Sequence, residues 1–209
     1  LLAAEDRRRL ARVQGLDPAT LGLPALMAEA PAWRARLLRA WVAGLGLPPL
    51  PGDAPDTIET QLLAARPDAE ACFAWAGATM RRWRDLLHAG PGQPALADDF
   101  SATWTGLEPL QLPTGDELRL EPARAFDTPL RVHARQGGER LRLPGREHHT
   151  TLKHALQDLG VPPWERERLP LLSHPDGTLL AAGDLMLAGG FQDWLATHET
   201  RLRWQAGVG

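Results

Sequence analysis

Apolar positions recur at helical spacing through the first half of the chain and at alternate positions through much of the second. Trp33, Leu37, Leu38, Trp41 and Leu45 fall on one side of a helix, with Arg36 and Arg39 on the other. Pro31 suits the first turn of that helix, and Gly44, Gly46 and Pro48-Pro49 end it. A second amphipathic helix is predicted over 69–88, with Cys72, Phe73, Ala76, Met80, Trp83 and Leu87 on one face and Arg81, Arg82 and Asp85 pointing away. Between them, Asp56-Thr57-Ile58-Glu59 reads as a helix start capped by Asp or Thr. Stripes of this kind read as core rather than as binding surface.

The pattern changes after His88-Ala-Gly-Pro-Gly-Gln-Pro94, the clearest linker composition in the chain. Leu110-Gln111-Leu112 and Leu118-Arg119-Leu120-Glu121 alternate around Pro-Thr-Gly-Asp, a hairpin signal. Leu130–Arg135 and Arg140–Leu143 alternate too, placing arginines opposite Leu and Val, with the Gly137-Gly138 turn between them. One helix follows. Thr150 or Thr151 caps it, Leu152, Leu156 and Leu159 form its buried edge, and Gly160 closes it before Pro162-Pro163. Leu171-Leu172 and Thr178–Ala181 flank His-Pro-Asp-Gly, and Arg201–Trp204 reads as a last strand. The expected fold class is α+β. An all-helical domain covers 1–90, a linker 91–96, and a small α+β domain 97–205, with a mainly antiparallel or mixed sheet and one main helix.

Composition narrows this little. The 209 residues are 44% hydrophobic and 23% charged, ordinary for a folded protein of one or two domains. No apolar run approaches the roughly 18 residues needed to cross a bilayer, so no membrane partner is expected. Leu1-Leu2-Ala3-Ala4 is cut short by Glu5-Asp6-Arg7-Arg8-Arg9 and is not a signal peptide. The lack of an initiator Met suggests a piece of a longer protein whose missing part carries the chemistry. The single cysteine, Cys72, rules out an internal disulfide, fits a reducing compartment, and reads as a buried structural thiol.

Net charge is −3, yet residues 131–173 hold eight basic side chains against five acidic ones. Such a local patch on an acidic protein reads either as a phosphate-backbone footprint or as a solvated mixed-charge face. Arg140, Arg142 and Arg146 line a strand and the loop after it, Lys153 stands on the polar side of the helix, and Arg166 and Arg168 follow the Pro-Pro-Trp corner. Arg offers a planar fork of donors that suits phosphate oxygens. Trp164 either stacks on a base or pins the corner into the core.

Other chemistry does not assemble. Gly137-Gly138 leads into a strand rather than a helix, so it reads as a tight turn, with backbone approach to a phosphate as the minority reading. His149 and His154 are five apart, which does not put two metal ligands on one helix face. Ser101 and Ser173 show no His/Asp arrangement, and Asp98-Asp99 and Asp116-Glu117 read as solvated turn carboxylates. No catalytic, cofactor-binding or metal-ligating residue is assigned.

Two stretches carry a family resemblance. Arg135-Gln-Gly-Gly-Glu139 through Leu152-Lys153, Gly160-Val-Pro-Pro-Trp164, Arg166 and Leu169-Pro-Leu-Leu172 resembles the C-terminal domain of the tRNA(Ile)-lysidine synthetase family, with 131–205 as the family-specific core. Trp33–Trp41, Ala65-Arg-Pro-Asp-Ala69 and Met80-Arg-Arg-Trp-Arg84 resemble its middle, substrate-binding domain. The family's Ser-Gly-Gly-x-Asp-Ser loop, which belongs to an N-terminal ATP-pyrophosphatase domain, is not found in this sequence.

The resemblance implies a cytoplasmic tRNA-modifying ligase. With ATP and magnesium it adenylates the wobble cytidine of an isoleucine tRNA bearing a CAU anticodon, and lysine then displaces AMP. On that reading this chain holds and selects the tRNA and is inactive alone, using no cofactor of its own. Candidate tRNA contacts are Arg135, Arg140, Arg146, Lys153, Arg166 and Arg168. The alternative is a protein-interaction or dimerisation module, a possible homodimer, that stabilises the synthetase without touching RNA.

Overall fold

Left-handed backbone at a few positions decides the architecture of the first half. In the computed structural model, which describes residues 4–66, 71–145 and 148–205, Ala76 and Gly77 adopt φ of 40° and 83°, and Arg84 adopts 54°. No helix can contain such residues. The segment read as a helix over 69–88 is instead a meander. The all-helical assignment for 1–90 is therefore corrected: the unit ending at Gln93 is itself helix plus sheet.

That unit contains α1 (Ala4–Val13), β1 (Thr20–Gly22), α2 (Leu23–Met27), α3 (Pro31–Gly44) and α4 (Ala54–Ile58). A π-helical turn (Glu59–Leu63) follows, then β2 (Cys72–Trp75), β3 (Ala78–Trp83) and β4 (Leu86–Pro91). The sheet runs β1-β4-β3-β2, all antiparallel. Pairing of Trp75 with Ala78 and of Trp83 with Leu86 leaves two-residue turns at 76–77 and 84–85. Ala78, Met80, Leu87 and Ala89 join Leu37, Leu38, Trp41, Ile58 and Leu62 in one buried cluster. Cys72, on the other face of the edge strand β2, is exposed rather than buried. His88–Pro91, read as the start of a linker, is the end of β4.

Arginines tie the unit together. Arg82 donates to the carbonyls of Leu63 (2.9 Å) and Ala65, satisfying the end of the π-helical turn from β3. Arg34, 9% exposed, pairs with Glu59 and donates to the Glu29 carbonyl at 2.7 Å. Arg9 and Arg36 stand over the Trp33 ring, and Arg36 pairs with Asp6, fastening α1 to α3.

The unit from Pro94 onward contains β5 (Ser101–Trp104), β6 (Leu110–Gln111), β7 (Glu117–Glu121), β8 (Leu130–His133), β9 (Arg140–Leu141) and β10 (Thr150–Thr151). Helices α5 (Leu152–Asp158) and α6 (Pro163–Arg168) follow, then β11 (Leu171–Ser173), β12 (Leu179–Ala182), β13 (Met186–Leu187), α7 (Gly189–Thr197) and β14 (Arg201–Gln205). Sheets β13-β12-β11-β8-β5, β14-β7-β6 and β10-β9 are all antiparallel. The hairpins at Pro-Thr-Gly-Asp and His-Pro-Asp-Gly and the strand at 201–204 are present. Two helices stand beside the expected one. Leu159 lies past the end of α5 and is 59% exposed, while Ala155 takes its place on the buried edge.

His133 and Ser173, on paired strands β8 and β11, form a hydrogen bond of 2.8 Å, and the other His133 ring nitrogen meets the Ala134 carbonyl. The two lie 40 positions apart, so no local spacing points to this pair. Both residues are buried, and among the described residues the His133 ring bonds the Ser173 hydroxyl and a carbonyl rather than a carboxylate, so the pair serves the sheet.

Candidate nucleic-acid interface

Arg135, Arg140, Arg142 and Arg166 do not line one common space. They divide around the Gly137-Gly138 turn, whose φ values of 88° and 80° require glycine. On one side lies an open groove of about 1490 Å³, lined by Gly138, Arg140, Arg142, His148 and His149 together with the β11–β12 turn and the start of α7. On the other is a cavity of about 370 Å³ shared by Gly137, Arg135 and Arg166.

Strand pairing builds the groove. Arg140 sits opposite Thr151 in the β9–β10 pair, with its side chain exposed because Leu141 takes the buried side. The Gly189 amide donates to the Arg142 carbonyl at 3.1 Å, drawing α7 against the strand. Asp176 and Asp193 also line the groove, so its charge is mixed. The Thr178 amide, which donates to Asp176 at 2.8 Å, is the main reason the Asp176 carboxyl is held below its ordinary range.

The Gly137 amide is not open to a phosphate: it and the Gln136 amide donate to one Glu139 carboxylate oxygen, at 2.8 and 2.5 Å. Burial on its own pushes the Glu139 carboxyl up. The amides of Gln136, Glu139 and Gly137 and the charge of Arg135 outweigh it, and the carboxyl ends below its ordinary range. A depressed folded-state value stabilises the turn above the unfolded carboxyl range, and this contribution disappears as pH falls through the folded value. Thermal unfolding should therefore show stability declining on acidification through the acid side of the carboxylate range, with a smaller decline in Glu139→Gln. An unchanged pH profile in that variant would remove this role.

The six candidate contacts separate as follows. Arg140 lines the groove and Lys153 stands exposed in the first turn of α5. Arg135 and Arg166 are half-buried at the smaller cavity, where Arg166 also donates to the Val161 carbonyl at 2.7 Å and closes the Pro-Pro-Trp corner. Arg146 lies outside the described residues. Arg168 is a correction: it is 5% exposed and ion-paired with Asp116, itself 1% exposed, and so belongs to the interior. Asp116 also receives Thr114 and the Trp204 indole, so it is no solvated turn carboxylate. Arg142, His148 and His149, which share the groove with Arg140, are what the list of contacts left out. Among the described residues no group of three or more His, Cys, Asp or Glu gathers, and no helix is long and apolar enough to cross a membrane.

Comparison with known proteins follows the two units. Residues 21–88 match the family model described as the TilS substrate binding domain, and residues 130–204 match that of the TilS substrate C-terminal domain. A tRNA(Ile)-lysidine synthase of Xylella fastidiosa strain Temecula1 is 49% identical over 98% of this chain and 48% of its own length. One from Xanthomonas campestris pv. campestris strain 8004 is 45% identical over 89% of this chain and 43% of its own. The chain thus spans about half the length of the curated relatives it matches. A solved TilS C-terminal domain aligns with 53% of this chain and 100% of its own at 21% identity and a TM-score of 0.39.

Proposed function

Because the chain belongs to the tRNA(Ile)-lysidine synthase family, through its substrate-binding and C-terminal domains, we propose that it is the part of such a synthase that holds and selects the tRNA. The observation that carries this reading is the groove bearing Arg140 and Arg142. Folded RNA is recognised largely through shape, phosphates and 2′-hydroxyls, so a few well-placed guanidinium groups suffice when another domain reads the anticodon. Asp176 and Glu139, two of the acids in the groove lining, are each bonded to loop amides, so their carboxylates are already engaged within the protein.

The whole enzyme would be cytoplasmic and would join lysine to the wobble cytidine of an isoleucine tRNA at the expense of ATP and magnesium. No residue of this chain is assigned to that chemistry. Its contribution would be positional: it would fix the tRNA so that the anticodon reaches the catalytic domain, and it would reject tRNAs of the wrong body.

The test is binding of the chain, across a salt series, to isoleucine tRNA with a CAU anticodon beside methionine tRNA with the same anticodon. Salt-sensitive binding that favours the isoleucine tRNA is expected. Failure of the folded chain to bind at low salt would overturn the proposal. So would a concentration-independent dimer whose interface protects the groove, since that is the behaviour of an association module.

A further inference from the structure

The basic groove does not end at its polar walls. It opens into a smaller pocket of about 200 Å³, and Leu180, Gly190 and Phe191 line both. The pocket is built differently. Phe126, Phe191 and Trp194 form its walls, with the Phe126 and Trp194 ring centroids 5.1 Å apart and Phe191 stacked nearly parallel to Trp194. Asp127, Thr128 and His174 supply its polar groups.

We propose that this pocket receives one unpaired nucleobase of the bound RNA, flipped out of its stack, while the phosphates on either side lie along the Arg140–Arg142 groove. The inference rests on the RNA-binding reading above and adds to it what kind of nucleotide is held and where. Two features point the same way. Phe126 and Trp194 are half-buried, so part of each ring borders the pocket, while Trp194 also stacks on His198 at 4.2 Å and Phe126 meets Trp104 edge-on at 5.3 Å. Aromatic rings beside a cationic track are the usual arrangement for an unstacked base, because every base has a π-face and every nucleotide a phosphate.

The polar groups narrow the edge that would be read. The Asp127 carboxylate accepts but does not donate, and so suits an exocyclic amino group. Thr128 supplies a hydroxyl that works either way. A base inside a duplex is stacked on both faces, so a duplex would have to yield an unpaired position to occupy the pocket.

The decisive experiment uses the whole chain with two short single-stranded RNAs of equal length, one carrying bases and one abasic. The base-bearing strand is expected to bind about tenfold more tightly, the scale of one stacked base. Phe126→Leu should abolish that difference without changing abasic binding, whereas Arg140→Ala should weaken both strands alike. Equal binding of the two strands would overturn the pocket proposal and leave the phosphate groove standing. Loss of all RNA binding, tRNA included, in the folded chain would overturn the RNA-binding reading itself. Should Phe126→Leu prove unstable, the indole N–H resonance of Trp194 serves instead. It should shift on adding a nucleoside monophosphate and not on adding inorganic phosphate, and an unmoved resonance would overturn the pocket. A partner protein's side chain as the true occupant predicts that unmoved resonance.

Discussion

Replacing Arg168 with methionine should lower the unfolding temperature of the chain by on the order of 10–20 °C while leaving the RNA affinity of the folded protein as it was. Arg168 is almost fully buried, and its partner Asp116 is more so. Asp116 also receives the Thr114 hydroxyl at 3.0 Å and the Trp204 indole at 3.3 Å, which joins the β6–β7 turn, α6 and β14 at one carboxylate. Removing the arginine leaves that carboxylate buried without its counter-charge, which costs about 3–5 kcal/mol. A domain of this size converts each kcal/mol into roughly 2–8 °C. Removing both charges should recover much of the loss, because an apolar pair of similar volume carries no desolvation penalty. Thermal unfolding of Arg168→Met and of Asp116→Leu/Arg168→Met, beside salt-titrated tRNA binding, checks this. A stable Arg168→Met chain with weakened binding would make Arg168 a surface contact after all.

That residue also shows where local reading stops. Arg166 and Arg168 are two apart, and the sequence offers no reason to treat them differently. In α6 two residues are about half a turn apart, so one guanidinium faces a cavity and the other enters the core. The partner that claims Arg168 lies 52 residues earlier, a separation no spacing rule reaches. Asp116 was equally opaque, since a carboxylate in a Thr-Gly-Asp turn reads as solvated until β14 and α6 are packed over it. The β segments of the second unit were legible because their signals are local: strict alternation on both sides of Pro-Thr-Gly-Asp and of His-Pro-Asp-Gly.

The meander at 72–91 was not legible, for a different reason. Its apolar residues satisfy a helical period about as well as an alternating one. What separates the two is the left-handed pair Ala76-Gly77 and the left-handed Arg84, and neither alanine nor arginine advertises such a conformation. The groove was legible in part. Arg140 and Arg142 are visible as the polar side of a strand. The start of α7 and the His-Pro-Asp-Gly turn reach the same place only through the pairing of β11 and β12 and the bond from Gly189 to Arg142.

The second large effect belongs to that groove. Arg140→Ala/Arg142→Ala should weaken tRNA binding by at least tenfold at moderate salt and flatten its salt dependence. Each phosphate contact neutralised by an arginine contributes roughly 0.7–0.9 to the slope of log K against log salt. Losing two should therefore reduce the slope by about 1.5. The affinity loss follows from hydrogen bonds to charged groups, worth about 1.5–3 kcal/mol each, where 1.4 kcal/mol is already tenfold. Arg131→Ala is the matched control: Arg131 is exposed on β8 and donates to the Ser101 hydroxyl at 2.9 Å, away from the groove lining. The lysine variants separate charge from geometry. Lysine keeps the charge and so the slope, yet lacks the planar fork, so Arg140→Lys should retain the salt dependence while losing part of the affinity. If the arginine pair were merely a solvated face, both alanine substitutions would behave like Arg131→Ala, and the slope would stay where it was.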